Sequence, residues 1–104
     1  MTPNYRLIPA RTMYTMVKWI TVGQPTGDFL YAVLTNDLKE AYGRADDDNL
    51  ASMYHIVHWL YNNAPGGCWG SVERVKEWEG STWMLQVEKD AFELKWMNQC
   101  AEED

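Results

Sequence analysis

Four side chains suited to metal or nucleophilic chemistry, His55, His58, Cys68 and Cys100, fall in the second half of this chain. Zinc is held by two histidines and two cysteines in many sites, but finger-type sites pair their cysteines at short spacing, and these stand 32 residues apart. The two histidines are three residues apart and so point about 60° apart around a helix. Cys68 precedes a helix start, where the dipole lowers a thiol pKa, yet no orienting acid or oxyanion hole accompanies it. Gly66 and Gly67 followed by Ser71 lack the lysine and the leading strand of a phosphate loop. Asp46, Asp47, Asp48 and Asn49 make an acidic knot without the glycine and distal glutamate of a calcium loop, so a helix cap with favourable first-turn charges is the plainer reading. No catalytic residue, metal or cofactor is expected.

One carboxylate stands out. Residues 27–46, GDFLYAVLTNDLKEAYGRAD, read as a single amphipathic helix in which Leu30, Val33, Leu34, Leu38 and Ala41 share one stripe. Asp37 falls near the middle of that stripe, with Arg44 two turns further along the same side. A carboxylate there is either paired or used. Paired with Arg44, or with donors from a basic first helix, it fixes how the helix docks, which is the expected role. Used, it joins Asn36, Glu40 and Arg44 in a polar lining for a ligand.

The elements that must position these groups follow from periodicity and punctuation. Residues 1–9 hold two prolines and read as an extended arm. Met13, Met16, Val17 and Ile20 recur at helical spacing across residues 10–22, and Gly23 with Pro25 stops that helix. Thr26 or Asp28 is expected to cap the second helix. In the third, residues 48–62, the stripe Leu50, Met53, Tyr54, Val57, Leu60 and Tyr61 is the expected core face. Ser52, His55 and Trp59 then point away from it, and His55 and Trp59 join Pro65, Cys68 and Trp69 of the following turn as the expected contact surface. Ser71 caps a short fourth helix with Val72, Val75 and Trp78 inward and Gly80 at its end.

The last segment fits two templates. A hairpin turning at Lys89 and Asp90 sets Val87 against Phe92, Leu85 against Leu94 and Trp83 against Trp96 on one face, with the arm available as a third strand. A fifth helix is the alternative, favoured by composition from Glu88 onward and by the absence of glycine at the turn. The expected fold is therefore mainly α, a single compact bundle of about four helices with a C-terminal β-hairpin, closed by a frayed acidic tail over residues 98–104.

Composition narrows the partners. Hydrophobic residues make up 46% and charged residues 23%, a globular balance. Six tryptophans and six tyrosines against two phenylalanines give apolar area that carries polar handles, which suits interfaces and pockets as well as a core, and makes a homo-oligomer an open expectation. The net charge of −6 argues against direct nucleic-acid binding and against an anionic membrane. That charge is uneven: residues 1–27 carry +3 and the remainder −9, so the basic arm is expected to fold back on the acidic body. The first apolar residues are interrupted by Pro3, Arg6, Pro9 and Arg11, so a secretory leader is not expected and both cysteines read as cytoplasmic thiols.

The run of residues 27–46, then Asn49, WLYNNAP and CWGS with a hydrophobic helix after it, resembles a family of small proteins encoded by tailed bacteriophages, over residues 8–78. The resemblance implies an accessory gene product acting in the infected bacterial cytoplasm, and by analogy a binding protein that disables a host protein or immune complex through an acidic, aromatic surface. The alternative is a small-ligand binder that sequesters a nucleotide signal, with Trp or Tyr stacking a base and Arg44 or Arg11 meeting phosphate. A metal-dependent hydrolase using the aspartate knot is the least favoured reading.

Overall fold

Met13, Met16, Val17 and Ile20 form the buried stripe of helix α1 (Ala10–Val22) in a computed structural model that describes residues 2–101. The helix closes on Gly23, whose φ of 72° is the left-handed conformation that frees its N–H to reach Trp19 O at 3.0 Å. Six further α-helices follow among the described residues: α2 (Asp28–Leu34), α3 (Leu38–Arg44), α4 (Asp47–Ala51), α5 (Met53–Asn63), α6 (Val72–Glu77) and α7 (Gln86–Ala101). Two single 3-10 turns lie at Tyr5–Leu7 and Gly66–Cys68, and no strand occurs among these residues.

The expected long helix over residues 27–46 is two helices. Asn36 takes a φ of 65° and ends α2 in a Schellman motif: Asp37 N–H reaches Ala32 O at 2.9 Å and Asn36 N–H reaches Val33 O at 3.1 Å. Asp37 then starts α3 as its N-cap, accepting Glu40 N–H at 3.3 Å. Neither Thr26 nor Asp28 caps α2, whose N-cap is Gly27. The expected helix of residues 48–62 also divides, at Ser52. Asp46 caps α4 by accepting Asn49 N–H at 2.9 Å, as the acidic knot predicts, while the Ser52 hydroxyl donates to Leu7 O at 2.7 Å and draws the arm onto the start of α5.

The arm packs closely rather than extending as a strand. Ile8 is buried, Asn4 N–H donates to His55 Nδ1 at 3.0 Å, and the Tyr5 hydroxyl meets His58 Nδ1 at 2.9 Å. The expected pairing of basic arm with acidic body takes the form of Arg11 on Asp46 at 2.6 Å and Lys18 on Glu93 at 3.2 Å. Asn49 N–H first, and Arg11 second, hold the Asp46 carboxyl below the usual carboxylate range.

The C-terminal hairpin is replaced by α7. Glu88 reaches back to accept Leu85 N–H at 2.8 Å, the returning half of a capping box, and a helix then sets Phe92 and Trp96 one turn apart on the buried side. These two rings pack on Trp59, with centroids 6.3 and 5.4 Å away, so burial of three large aromatics outweighs the cross-strand pairs a hairpin offers. Residues 98–101 of the expected acidic tail continue α7, and residues 102–104 of it lie outside the described residues. Helix α7 runs along α1, where Glu93 also accepts the Thr21 hydroxyl at 2.9 Å. The segment leading to it crosses the end of α1 at Ser81, whose N–H donates to Thr21 O and hydroxyl to Ile20 O.

Candidate functional site

The stripe that periodicity assigns to the core is split. Met53 and Leu60 of α5 are buried as expected, but Tyr54, Val57 and Tyr61 are exposed, as is Leu50 of α4. His55 and Trp59, expected to point outward, are buried with Ile56, Trp59 at 0%. Both sides of this helix are apolar, and the side holding the largest side chain is the one covered by the arm and α7. The tyrosine side can remain in contact with water through its hydroxyls.

That split opens a groove. Tyr54, Val57, His58 and Tyr61 of α5 form one wall, Leu38, Ala41 and Tyr42 of α3 the other, and Ala32, Val33 and Met53 line it deeper, with Trp69 also on its lining. Its volume is about 730 Å³, within the roughly 300–1,000 Å³ usual for ligand clefts. Leu38 is 71% exposed and Tyr61 80%, large apolar area left in water along one concave surface. Among the described residues lining it the polar groups are few: Asn36, Asp37, His58, Asn62 and the tyrosine hydroxyls. No lysine or arginine lines it among the described residues.

Asp37 sits in this lining, not in a buried stripe. Its expected partner Arg44 turns elsewhere, to Glu40 at 2.9 Å and Asp28 at 3.2 Å, and Asp37 has no ion pair among the described residues. Of the four residues grouped as a polar cluster, Asn36 and Asp37 line the groove, while Glu40 and Arg44 form an exposed i, i+4 pair along α3 outside that lining. The two-helix break was legible in outline: Asn36 suits a left-handed closing position, and Asp37 with Glu40 has the spacing of a capping box.

The residues expected as a contact surface separate. Of His55, Trp59, Pro65, Cys68 and Trp69, only Trp69 lines the groove; His55, Trp59 and Cys68 are interior, and Pro65 is half-buried as the cap of the second 3-10 turn. Trp69 is placed by its neighbours: Gly70 N–H donates to Leu34 O at 2.7 Å, and Arg74 donates to the carbonyls of Gly66 and Trp69. No family model matches the chain, and neither does any curated protein or solved structure.

Cys68 carries no nucleophilic geometry. Burial pushes its thiol from the ordinary 9.0 up to about 12, and its carbonyl accepts Trp19 Nε1–H at 3.0 Å. A raised acid pKa in the fold means that stability present below pH 9 declines as pH rises past it, because the unfolded thiol ionises first. In a Cys100→Ser background, Cys68 is expected to stay unreactive toward an aromatic disulfide reagent at pH 8 while folded and to react within seconds once urea unfolds the chain. Rapid reaction of the folded protein would contradict its burial. Among the described residues no group of three or more His, Cys, Asp and Glu side chains is placed to hold a metal ion, and no helix is long and apolar enough to cross a membrane.

A second apolar strip lies on α7. Val87 and Leu94 are exposed, and Ala91 and Leu94 border a depression with Lys95 and Asn98. It is the second stripe that a helical reading of this segment leaves over.

Proposed function

We propose that this chain is a non-enzymatic binding protein whose groove between α3 and α5 receives a segment of a partner protein. The observation that carries the reading is the groove itself, a concave surface where tyrosines, Trp69, Val57 and Leu38 stand in water although burying them is worth roughly 25 cal/mol per Å² of apolar area. A central apolar and aromatic patch with a polar rim is the composition that concentrates binding energy at protein interfaces. The partner in this proposal is a host protein in an infected bacterium, with interference in a host or immune complex as the outcome, a choice that rests on the resemblance of residues 8–78 to small tailed-bacteriophage proteins.

The nucleotide alternative is less well supported. Arg44 is held by Asp28 and Glu40, Arg11 by Asp46 and Asp48, and the groove offers a phosphate no cation. A metal-dependent hydrolase has still less to stand on, since Asp46 is committed to capping α4 and pairing with Arg11.

Affinity capture from bacterial lysate with matched baits tests the reading. Val57→Glu places a charge in the groove, and Leu94→Glu places one on the α7 strip, both at exposed positions where melting temperature should hardly move. The expected result is a stoichiometric host protein on the wild-type and Leu94→Glu baits and at least about tenfold less on Val57→Glu, the factor that 1.4 kcal/mol represents. Equal capture by all three overturns the groove as the docking site. Loss on Leu94→Glu alone transfers the role to α7, and self-association in place of a host partner would be read from sedimentation.

A further inference from the structure

Among the described residues Asp37 is the one carboxylate on a mainly aromatic and apolar lining, whose other polar side chains are Asn36, His58, Asn62 and the tyrosine hydroxyls, and it makes no ion pair with a base. Its Oδ1 accepts Glu40 N–H as the cap of α3, which fixes the carboxylate on the groove edge. The same lining holds Tyr42 on the helix that Asp37 caps and Tyr54 and Tyr61 on the α5 wall, rings whose faces carry negative potential. Rings and carboxylate together form a surface that favours a cation over a neutral or anionic group, and the net charge of −6 adds to the same preference at longer range.

We propose that the docking segment presents an arginine side chain flanked by apolar residues, its guanidinium against the tyrosine rings and hydrogen-bonded to Asp37. This rests on the groove being the docking site. Arginine suits the surface better than lysine: the planar guanidinium stacks on rings, is more weakly hydrated than an ammonium and matches a carboxylate with two parallel donors. The flanking apolar residues take the area over Val57, Leu38 and Trp69.

Two-dimensional amide NMR of the full chain tests this with three peptides: acetyl-Leu-Arg-Leu-amide, its citrulline counterpart, which is a neutral isostere, and its lysine counterpart. The arginine peptide is expected to shift the amides of Tyr42, Val57, Tyr61 and Trp69, with affinity about three- to tenfold above citrulline, the range of a solvent-accessible cation–π and ion contact. Asp37→Asn keeps a competent helix cap and removes the charge, so the ratio should fall close to one. Equal affinity of arginine and citrulline peptides, a ratio unchanged in Asp37→Asn, or lysine binding as well as arginine each overturns the assignment. If no peptide moves the groove amides while Val57→Glu still abolishes capture, the arginine inference falls and the docking reading stands. If Val57→Glu leaves capture intact, the docking reading falls and takes the inference with it.

Discussion

Trp59→Ala is expected to cost about 3–5 kcal/mol of folding stability, the range for truncating a fully buried tryptophan, and to lower the melting temperature by on the order of 15 °C or more. Trp59 is 0% exposed and is the largest of the fully buried side chains. It meets Trp96 edge-on at 5.4 Å with an interplanar angle of 88°, and Phe92 at 6.3 Å, so it joins α5 to α7. Removing the ring leaves a cavity facing two elements that cannot both close on it. Trp59→Phe should be far milder, less than half the alanine loss. Phenylalanine keeps most of the apolar area and leaves a much smaller cavity, and the indole Nε1–H donates to no protein group among the described residues. Urea denaturation followed by circular dichroism measures both. If alanine at this position left stability unchanged, the assignment of this face to the interior would be wrong.

Gly80→Ala is the second large effect, about 2–4 kcal/mol from backbone strain and displaced packing. A Cβ built on Gly80 would lie 2.7 Å from Thr21 O and 2.9 Å from both the Cα and carbonyl carbon of Val22, all backbone atoms that no rotamer can move aside. Its φ of 98° adds a conformation that side-chain-bearing residues avoid. The contact matters because it brings Ser81 onto the end of α1 and sets where α7 begins to run along it. Gly43→Ala serves as the contrast: no atom lies within 4 Å of a Cβ there, and alanine inside α3 should raise stability by several tenths to about 1 kcal/mol. The same denaturation experiment reads both, and a neutral Gly80→Ala would contradict the close crossing.

Where the fold was legible, one strong local signal stood unopposed. Helix α1 was readable from its single stripe and its closing glycine, the start of α4 from the acidic knot though not its separation from α5, and the start of α6 from Ser71, which accepts Arg74 N–H as anticipated although Val72 is exposed. Elsewhere two local signals competed and the tertiary context decided. On α5 both faces were apolar, and Ile56 and Trp59 took the interior over Tyr54, Val57 and Tyr61 because the arm and α7 cover that side. On residues 86–101 alternation competed with helix propensity, and the interior seat for Phe92 and Trp96 settled the form.

The same ambiguity hid the candidate site. Five residues of its walls, Leu38, Ala41, Tyr54, Val57 and Tyr61, are ones that periodicity placed in the core, so no sequence pattern distinguished a groove from an interior. Asp37 was the one visible clue. Its presence on an apolar stripe pointed to pairing or use, and the Schellman break at Asn36 turned it out of the core and onto the groove edge with Arg44 engaged elsewhere. A charge that local rules cannot place is more informative about a site than the apolar pattern around it.

Hydroxyl-radical footprinting of the protein alone and with its captured partner tests the docking claim most directly. Tyr42, Tyr54, Tyr61 and Trp69 should lose reactivity several-fold in the complex, while Trp83, exposed ahead of α7, and Leu94, exposed on α7, both outside the groove lining, keep theirs. Protection confined to Trp83, Val87 and Leu94, with the groove tyrosines oxidised as in the free protein, would contradict it.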